Sequence, residues 1–485
     1  MLRKVALYLV LVGACGAGVA WVMHLGAGES LMHLATSASS DGVPALAHAA
    51  DPRSASSSLE ALAEQLAGRL HEPLAQLLLQ VIVVVTAARL AGALFRRLGQ
   101  PAVTGEMVAG IVLGPSVAGA LWPSTQPFLF PVESMGALRL LSQIGVILYM
   151  FVVGIELDLA HLRRRADAAL LVSHVSILAP FLLGSTLALA LYPTLAPAGV
   201  SFSSFTLFLG VAMSITAFPV LARILDERQL SRTRLGAIAI TCAAVDDVTA
   251  WCLLAVVVAV VKAEALTGAA VTVVLAAAFV ALLWLGVRPI LGRRIGDQVG
   301  DESRQRALIG LALTFVFSCA LATELIGIHA LFGAFLAGVA MPEHAAVREF
   351  LQRRLEAFST VVLLPLFFAF TGLRTHIGLL DDGVAWATCA AVIAVAVAGK
   401  LGGGMLAARV TGMSWRDSFA LGALMNTRGL IELIVLNIGY DLGIISGRIF
   451  AMLVLMAVVT TLMTGPLLRL SGTWRQVGIG ASETG

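Results

Sequence analysis

Charged side chains are scarce in this chain of 485 residues: they make up 13% of it, whereas 59% of the residues are hydrophobic. A water-soluble domain cannot cover its surface with so little charge, so most of the chain is expected to face lipid. The formal net charge of +3 and the lack of long Lys/Arg runs argue against a nucleic-acid partner. These shortages indicate a protein that crosses a membrane many times.

Lysine and cysteine are scarcer still. The chain has three lysines, Lys4, Lys262 and Lys400. Its cysteines form neither a CxxC pair nor the Cys/His spacing of a metal site, which argues against disulfides and resident metal ions, and no cofactor is expected. We expect them to be small core residues. The cysteines are Cys15, Cys242, Cys252, Cys319 and Cys389.

Long apolar runs are what the chain has in abundance. A membrane-spanning helix needs about 20 mainly apolar residues. Such runs predict about thirteen helices, of which 328–341 is the shortest. We therefore expect an all-α polytopic membrane protein with its transmembrane domain at 73–470. The runs are 73–95, 104–122, 137–157, 168–192, 203–226, 234–262, 267–287, 305–325, 328–341, 356–374, 383–408, 416–438 and 446–470.

The two ends of the chain differ from the middle. Residues 1–26 form a hydrophobic segment that suits either a retained extra helix or a cleaved signal peptide. The sequence VGAC at 12–15 resembles a weak lipoprotein cleavage box. The Ser/Ala-rich stretch 27–72 is expected to be a periplasmic linker, and 471–485 a short cytoplasmic tail.

Arginine clusters recur at every second connection between the predicted helices. Basic residues mark cytoplasmic loops, and alternate connections such as 122–136 and 193–202 nearly lack them. The pattern predicts a multi-pass protein of the bacterial inner membrane whose first core helix starts outside and whose C-terminus is cytoplasmic. The clusters are Arg96/Arg97, Arg163 to Arg165, Arg228/Arg232/Arg234, Arg293/Arg294/Arg304/Arg306, Arg348/Arg353/Arg354 and Arg409/Arg416.

Three ionisable residues lie near the predicted middle of the bilayer, where charge is costly and therefore a sign of function. The run TCAAVDDVTAW places Asp246 and Asp247 about twelve residues, roughly 18 Å, into the sixth helix. The run VAGKLGGG places Lys400 about eight residues from the cytoplasmic end of the eleventh. The adjacent Gly399 and Gly402–Gly404 favour close helix packing over a lysine that reaches out to the interface.

The two aspartates are expected to perform different tasks. Neighbouring helix residues diverge by about 100°, so the carboxylates cannot share one proton as an aspartic-protease dyad does. We expect Asp247 to bind the ion and Asp246 to pair with Lys400. A buried carboxylate holds either a proton or a cation, and the empty, charged site is too costly to carry across. This competition predicts an antiporter that exchanges Na⁺ or K⁺ for protons at Asp247.

Two predicted helices contain clusters that disrupt the backbone. In the fifth, SITAFP places Ser214 and Thr216 next to Pro219, which lacks a backbone donor. The twelfth contains MNTRG in an apolar span. The two clusters lie seven helices apart, and because seven is odd, the two halves of the chain cross the membrane in opposite directions. This predicts an inverted repeat whose broken helices cross at mid-membrane and present helix ends and hydroxyls to an ion. The second cluster contains Asn426, Thr427 and Arg428.

Further ionisable residues have weaker claims to a role in transport. Arg428 and Glu432 lie four apart on one helix face, which favours a structural ion pair, with pH sensing or gating as the alternative. Glu106, in TGEMVAGIVLGP, is a candidate for an ion entrance or a dimer face.

At these residues the chain resembles the monovalent cation/proton antiporters of the second branch, over about residues 75–470. The resemblance implies the sodium/proton antiporter fold and a homodimer in which a core bundle slides against a scaffold, as an elevator. The motifs are GEMVAGIVLGPS from Gly105, QIGVILYMFVVGIELD from Gln143, SITAFPVLARIL from Ser214, AAVDDVTAW from Ala243, LPLFFAFTGL from Leu364 and MNTRGLIELIVLNIG from Met425.

The resemblance also implies roles for individual residues. Asp247 would carry the cation or proton, Lys400 would bond to Asp246 when no cation is present, and Thr216 would supply oxygen ligands. Plant relatives have Asn where this chain has Asp246, whereas the Asp-Asp pair is typical of electrogenic sodium antiporters. The resemblance therefore leaves the choice between Na⁺ and K⁺ open.

Other functions are less consistent with the sequence. Symport of an organic anion on a similar scaffold needs further polar or basic groups at the crossing, where only Arg428 is found. A membrane-embedded aspartic protease needs aspartates that face each other from two helices. A cation-gated channel is the third alternative. We expect a secondary transporter and not an enzyme.

Overall fold

The computed structural model describes residues 72–156, 166–231, 233–262, 266–295 and 302–472. Every regular element in these ranges is a helix. The N-terminal segment, nearly all of the predicted linker and the tail after residue 472 lie outside the described residues, so the alternatives for residues 1–26 stay predictions. The same holds for Cys15.

Each of the thirteen predicted runs coincides with a helix or a helix pair. Three of these helices continue through a π-helical turn. Two short helices follow Ala102–Leu113, the helix of the second predicted run. The bounds are Pro73–Arg97, Ala102–Leu113, Ala118–Leu121, Thr125–Leu129, Met135–Glu156, Ala166–Leu195, Phe202–Ser214, Phe218–Glu227, Arg234–Lys262, Leu266–Ala281 with Leu282–Val287 and Arg288–Ile295, Glu302–Ile326, Ala330–Ala340, Ala345–Phe358 with Ser359–Leu363 and Leu364–Leu373, Gly383–Val397 with Ala398–Gly402 and Gly403–Val410, Trp415–Met425, Leu430–Asp441 and Gly447–Leu470.

Ten helices in the described ranges are long and apolar enough to span a membrane, or eleven if a bent pair counts as one span. The predicted runs 203–226 and 328–341 are not among them. The first is divided between Phe202–Ser214 and Phe218–Glu227, and the second is the helix Ala330–Ala340, which has 11 residues. At 1.5 Å per residue it covers about 16 Å, roughly half of the hydrocarbon thickness. The predicted helix is present, but it is shorter than the helices that are long enough to be complete spans.

Serine side chains set the start of several helices. The hydroxyl of Ser201 accepts a hydrogen bond from the Ser204 backbone N–H at 3.2 Å. Ser414 does the same for Asp417 at 3.1 Å. Such caps satisfy a backbone donor that has no partner within its helix. They fix the beginnings of Phe202–Ser214 and Trp415–Met425, which are the first halves of the two broken spans.

The helices pack as two groups joined by the span that begins at Leu266. Each group takes three spans from each half of the chain, as an inverted repeat requires. The core bundle consists of the spans that begin at Ala166, Phe202, Arg234, Gly383, Trp415 and Gly447. The scaffold bundle consists of those that begin at Pro73, Ala102, Met135, Glu302, Ala330 and Ala345.

The two predicted helix breaks are present, and they cross inside the core bundle. The first break lies at 215–217, between Phe202–Ser214 and Phe218–Glu227, and the second at 426–429. The Ala217 backbone N–H donates to the Thr427 carbonyl at 3.1 Å, so the two breaks are hydrogen-bonded to each other. Pro219 is the second residue of its half-helix, where a missing N–H costs nothing.

Close packing near Lys400 is confirmed at Gly399 and Gly403. A Cβ on Gly399 would lie 2.7 Å from the Cα of Pro180, and one on Gly403 would lie 2.8 Å from the Cβ of Ala179. At Gly402, by contrast, such a Cβ would meet no described atom within 4 Å. The lysine-bearing span therefore lies directly against the Ala166–Leu195 helix.

Candidate ion-binding site

Asp246 is fully buried and is surrounded by hydrogen-bond donors from three other spans. Its Oδ1 accepts a hydrogen bond from the hydroxyl of Ser173. Its Oδ2 accepts from Thr216 Oγ1 at 2.7 Å and from Ser176 Oγ at 3.2 Å. The ammonium nitrogen of Lys400, itself fully buried, lies 2.9 Å from the same Oδ2 and 3.1 Å from Ser176 Oγ.

This arrangement uses nearly all of the capacity of the Asp246 carboxylate, which has about four acceptor sites on its two oxygens. A buried ion pair is tolerated only when further hydrogen bonds satisfy the remaining groups, and the three hydroxyls provide them. Lys400 lies in the π-helical turn Ala398–Gly402, a local widening of the helix that often occurs at functional sites. The structure thus places Asp246 in a fixed, saturated environment.

The neighbouring Asp247 has very different surroundings, although it is 2% exposed. Among the described residues, no group donates a hydrogen bond of standard geometry to either of its oxygens. The backbone N–H of Phe218 lies close enough to act on the carboxylate. Phe218 is the first residue of the half-helix Phe218–Glu227, so the positive end of that helix faces Asp247.

Asn426 is the second buried polar side chain without a partner at the crossing. It is fully buried, and neither its carbonyl oxygen nor its amide nitrogen has a hydrogen bond within the described part of the chain. The next residue, Thr427, is bonded to Thr464 through their hydroxyls at 3.2 Å. Ser214, a predicted ligand, donates instead to the carbonyls of Gly210 at 2.6 Å and Ile177 at 3.0 Å.

Arg428 and Glu432 form the predicted ion pair, with 3.0 Å between Nη1 and Oε1 and both side chains fully buried. Arg428 also donates to the carbonyl oxygens of Ala212 at 3.1 Å and Met213 at 2.7 Å. These carbonyls belong to the last turn of Phe202–Ser214, where a cation offsets the negative helix end. The arginine therefore ties the two broken spans together.

Glu106 lies in the scaffold bundle, away from the aspartates. It is 7% exposed, in the helix Ala102–Leu113. Its Cγ lies 3.6 Å from the position that a Cβ on Gly92 would occupy, so the side chain packs against the first scaffold helix. The structure does not bring it together with Asp246, Asp247 or Lys400.

Ser173 and Ser176 are site residues that sequence analysis missed. They lie three apart, so both face Asp246 from one side of the Ala166–Leu195 helix. The only available signal was a pair of serines at helical spacing in an apolar span. His174, which lies between them, instead contacts the Leu170 carbonyl through Nδ1 at 2.8 Å.

A polar cluster between the two bundles was also missed. Asp441, at the end of the second broken span, lies 3.0 Å from Arg139 and 2.5 Å from Arg374, and both arginines belong to the scaffold side. Arg374 also donates to Asn437 at 2.9 Å, and Asn437 donates to Thr371 at 2.8 Å. We call these five residues the Asp441 cluster. It holds the core to the scaffold at one edge of their interface.

A cavity of about 420 Å³ lies beside the Asp441 cluster, between the bundles. Val258 lines it and belongs to the same helix as Asp247. Asp247, Trp251 and Val258 lie at positions i, i+4 and i+11, which is one face of the helix. Trp251 lies between the cavity and the Asp247 carboxylate on this face. It stacks on Phe335 of the scaffold, with 6.4 Å between the ring centroids. Other lining residues include Gln143, Ile147, Glu324 and Leu331.

Comparison with known proteins agrees with this architecture. Residues 81–470 match the family model described as "Sodium/hydrogen exchanger, transmembrane". The chain is 44% identical over 401 residues to the Na(+)/H(+) antiporter NhaS4 of Synechocystis, an alignment that covers 81% of this chain and 96% of that protein. It is 40% identical to Cation/H(+) antiporter 17 of Arabidopsis thaliana and 35% identical to K(+)/H(+) antiporter 1 of Saccharomyces cerevisiae.

The last two alignments each cover 82% of this chain, but 48% of the plant protein and 46% of the yeast protein. The chain thus spans about half the length of these eukaryotic relatives. Among solved structures, the sodium proton antiporter MjNhaP1 of Methanocaldococcus jannaschii has a similar fold, with a TM-score of 0.62. The match has 12% sequence identity and covers 82% of this chain and 99% of that one.

Proposed function

This chain belongs to the sodium/hydrogen exchanger family, and from that premise we propose that it exchanges Na⁺ or K⁺ for protons at Asp247. The relatives named above are all cation/proton antiporters, which supports cation/proton exchange across a membrane. The observation that carries the assignment to Asp247 is its buried carboxylate, to which no described group donates a hydrogen bond of standard geometry. A hard monovalent cation prefers oxygen ligands, and this carboxylate offers two.

Competition for Asp247 couples the two ions. A buried carboxylate that is neither protonated nor bound to a cation is costly in a low-dielectric interior. The site therefore crosses the membrane with a proton or with a cation, but not empty. Neither ion leaks alone, because the empty site does not cross.

The pair of Asp246 and Lys400 provides a second proton and makes the exchange electrogenic. A cation that arrives at Asp247 adds positive charge next to Lys400, whose Nζ lies 2.9 Å from Asp246. Repulsion then favours release of a proton from the ammonium group. With one proton from Asp247 and one from Lys400, more than one proton is exchanged for each cation.

Transport proceeds by movement of the core bundle against the scaffold bundle. The groups that define the site come from core spans, so the bundle carries the site as a unit. Two contacts across the interface must separate in this step, the Asp441 cluster and the stack of Trp251 on Phe335. As in the family, we expect a homodimer built on the scaffold bundles in the bacterial inner membrane, with the C-terminus in the cytoplasm.

The test is cation/proton exchange by purified protein in liposomes, with the membrane potential clamped and Na⁺, K⁺, Li⁺ and Rb⁺ compared across pH. Asp247→Asn is expected to abolish exchange. Asp417→Asn is the matched control, because Asp417 is a partly exposed aspartate in the first turn of the helix Trp415–Met425 of the same bundle. Native exchange rates in Asp247→Asn would refute the proposal. A native dependence on membrane potential in Lys400→Ala would refute the role of Lys400.

Symport of an organic anion is the alternative, and the contacts at the crossing disfavour it. An anionic solute needs a basic group that is available to it. Arg428 already binds Glu432 and two backbone carbonyls, and Lys400 is bonded to Asp246. The same liposomes, loaded with candidate organic anions, distinguish the two functions.

A further inference from the structure

Asp247 and Asn426 are two buried polar side chains at one crossing of the backbone, and neither has a hydrogen bond of standard geometry within the described part of the chain. We propose that Asn426 is a ligand of the transported cation and that its carbonyl oxygen, together with the carboxylate of Asp247, sets the preference among alkali cations. This inference rests on the proposed function, because it concerns the same site.

The contacts around the breaks bring the two residues to the same place. Thr216 Oγ1 bonds to Asp246 at 2.7 Å and to the carbonyl of Met425 at 3.3 Å. One residue further along, Ala217 N–H bonds to the carbonyl of Thr427 at 3.1 Å. These contacts flank Asn426 on both sides. Phe218, the residue that follows this break, faces Asp247.

An unpaired amide in this position is unfavourable unless something binds it. A buried polar group without a hydrogen bond loses its interaction with water and gains nothing in return. The backbone N–H of Asn426 is already used, since it caps the helix Trp415–Met425 by bonding to Gly422 at 3.0 Å. Its side chain is therefore not needed for that cap. We therefore expect the unpaired side chain of Asn426 to have a function other than stabilising the fold.

A neutral oxygen ligand suits competition between a proton and a cation. The single negative charge of Asp247 is neutralised equally by one proton or one alkali cation. An alkali cation needs several oxygens around it, whereas a proton on Asp247 needs none beyond the carboxylate. The carbonyl of Asn426 adds an oxygen without adding charge. It therefore stabilises the bound cation but not the bound proton, and the position of its oxygen favours one ionic radius over another.

The experiment measures exchange by purified protein in liposomes as a function of Na⁺ or K⁺ concentration at fixed pH. Asn426→Ala is expected to raise the apparent KM for the preferred cation at least about tenfold and to change the ratio of the Na⁺ and K⁺ values. Asn426→Gln keeps a neutral carbonyl oxygen at the site and is expected to raise KM less than Asn426→Ala does.

Ser418→Ala is the matched control. Ser418 is also a fully buried side chain without a hydrogen bond among the described residues, on the same helix but eight positions earlier. That separation is about 12 Å along the axis, so its removal is expected to leave KM unchanged. An equal change in KM for Ser418→Ala would overturn the assignment, because any unpaired group in the helix would then have the same effect.

Thermal unfolding separates a ligand from a structural residue. In cation-free buffer, Asn426→Ala is expected to unfold at the native temperature or above it, because the substitution removes unpaired groups. Added Na⁺ or K⁺ is expected to stabilise the native protein and to stabilise this variant less. A lower unfolding temperature without cation, together with an unchanged cation effect, would show a structural role instead.

Failure of this inference is distinguishable from failure of the proposed function. Absence of exchange in the native protein, or its survival in Asp247→Asn, overturns both. If Asp247→Asn is inactive while Asn426→Ala has native KM values for Na⁺ and K⁺, the function stands and Asn426 is not a ligand.

Discussion

Replacement of Lys400 by methionine tests whether the buried ion pair is coupled. Methionine keeps much of the length of the side chain and removes its charge. Lys400 and Asp246 both have fully buried side chains, with 2.9 Å between Nζ and Oδ2. Removing one partner of such a pair leaves an uncompensated buried charge, which typically costs about 3–5 kcal/mol. The hydroxyls of Ser173, Ser176 and Thr216 remain as donors, so we expect the lower end, about 3 kcal/mol.

The assay is thermal unfolding of the detergent-solubilised protein, followed by tryptophan fluorescence at neutral pH and fixed salt. A loss of about 3 kcal/mol is expected to lower the unfolding temperature by at least about 3 °C in a chain of this size. The double variant Lys400→Met/Asp246→Asn removes both charges. It is expected to regain most of the loss, because no buried charge is then left without a partner.

A surface pair supplies the control. Arg353 and Glu349 form an ion pair one helical turn apart, with side chains that are 76% and 61% exposed. Solvent screens such a pair, so Arg353→Met is expected to leave the unfolding temperature unchanged. The reasoning is refuted if Lys400→Met unfolds with the native protein, or if the double variant is no more stable than Lys400→Met alone.

Two further predictions concern packing and the contact between bundles. Gly399→Ala is expected to lower the free energy of unfolding by about 1–3 kcal/mol, measured by thermal unfolding, because its Cβ would lie 2.7 Å from the Cα of Pro180. Gly402→Ala is the control: its Cβ would meet no described atom within 4 Å, so this variant is expected to have native or higher stability. Asp441→Asn weakens two ion pairs to the scaffold. In a cysteine-free background that carries Val258→Cys in the cavity, Asp441→Asn is expected to change the rate at which thiol reagents label the introduced cysteine. An unchanged rate would show that these ion pairs do not hold the core bundle to the scaffold bundle.

The spans and the aspartate–lysine pair were predictable because each has a strong local signal. An apolar run of about 20 residues has few alternatives to a membrane helix, and a charge inside one demands a partner. Lys400 was the only lysine predicted at that depth, so its pairing with an aspartate followed. The length of Ala330–Ala340 was less predictable, because apolar composition does not show whether a helix crosses the bilayer or stops inside the protein.

The hydroxyl partners were not predictable, because a serine or threonine in a helix has a local alternative. Its hydroxyl can bond to the carbonyl four residues earlier, as Thr249 does with Val245 at 2.8 Å. Ser214, which was predicted to be a ligand, does this with Gly210 at 2.6 Å. Only the packing of three spans shows that Thr216 points to Asp246.

Two neighbouring aspartates with the same chemistry thus have opposite surroundings because a helix turns by about 100° per residue. One direction leads to Lys400 and three hydroxyls, which occupy the acceptor sites of Asp246. The other leads to the positive end of a half-helix and to no described hydrogen-bond donor of standard geometry. A carboxylate that must exchange one ion for another cannot be saturated by protein donors, since a saturated group has no site to offer. The lack of described partners around Asp247 is therefore the property on which exchange depends, and a substitution that introduced a donor there is expected to slow transport even if it stabilised the fold.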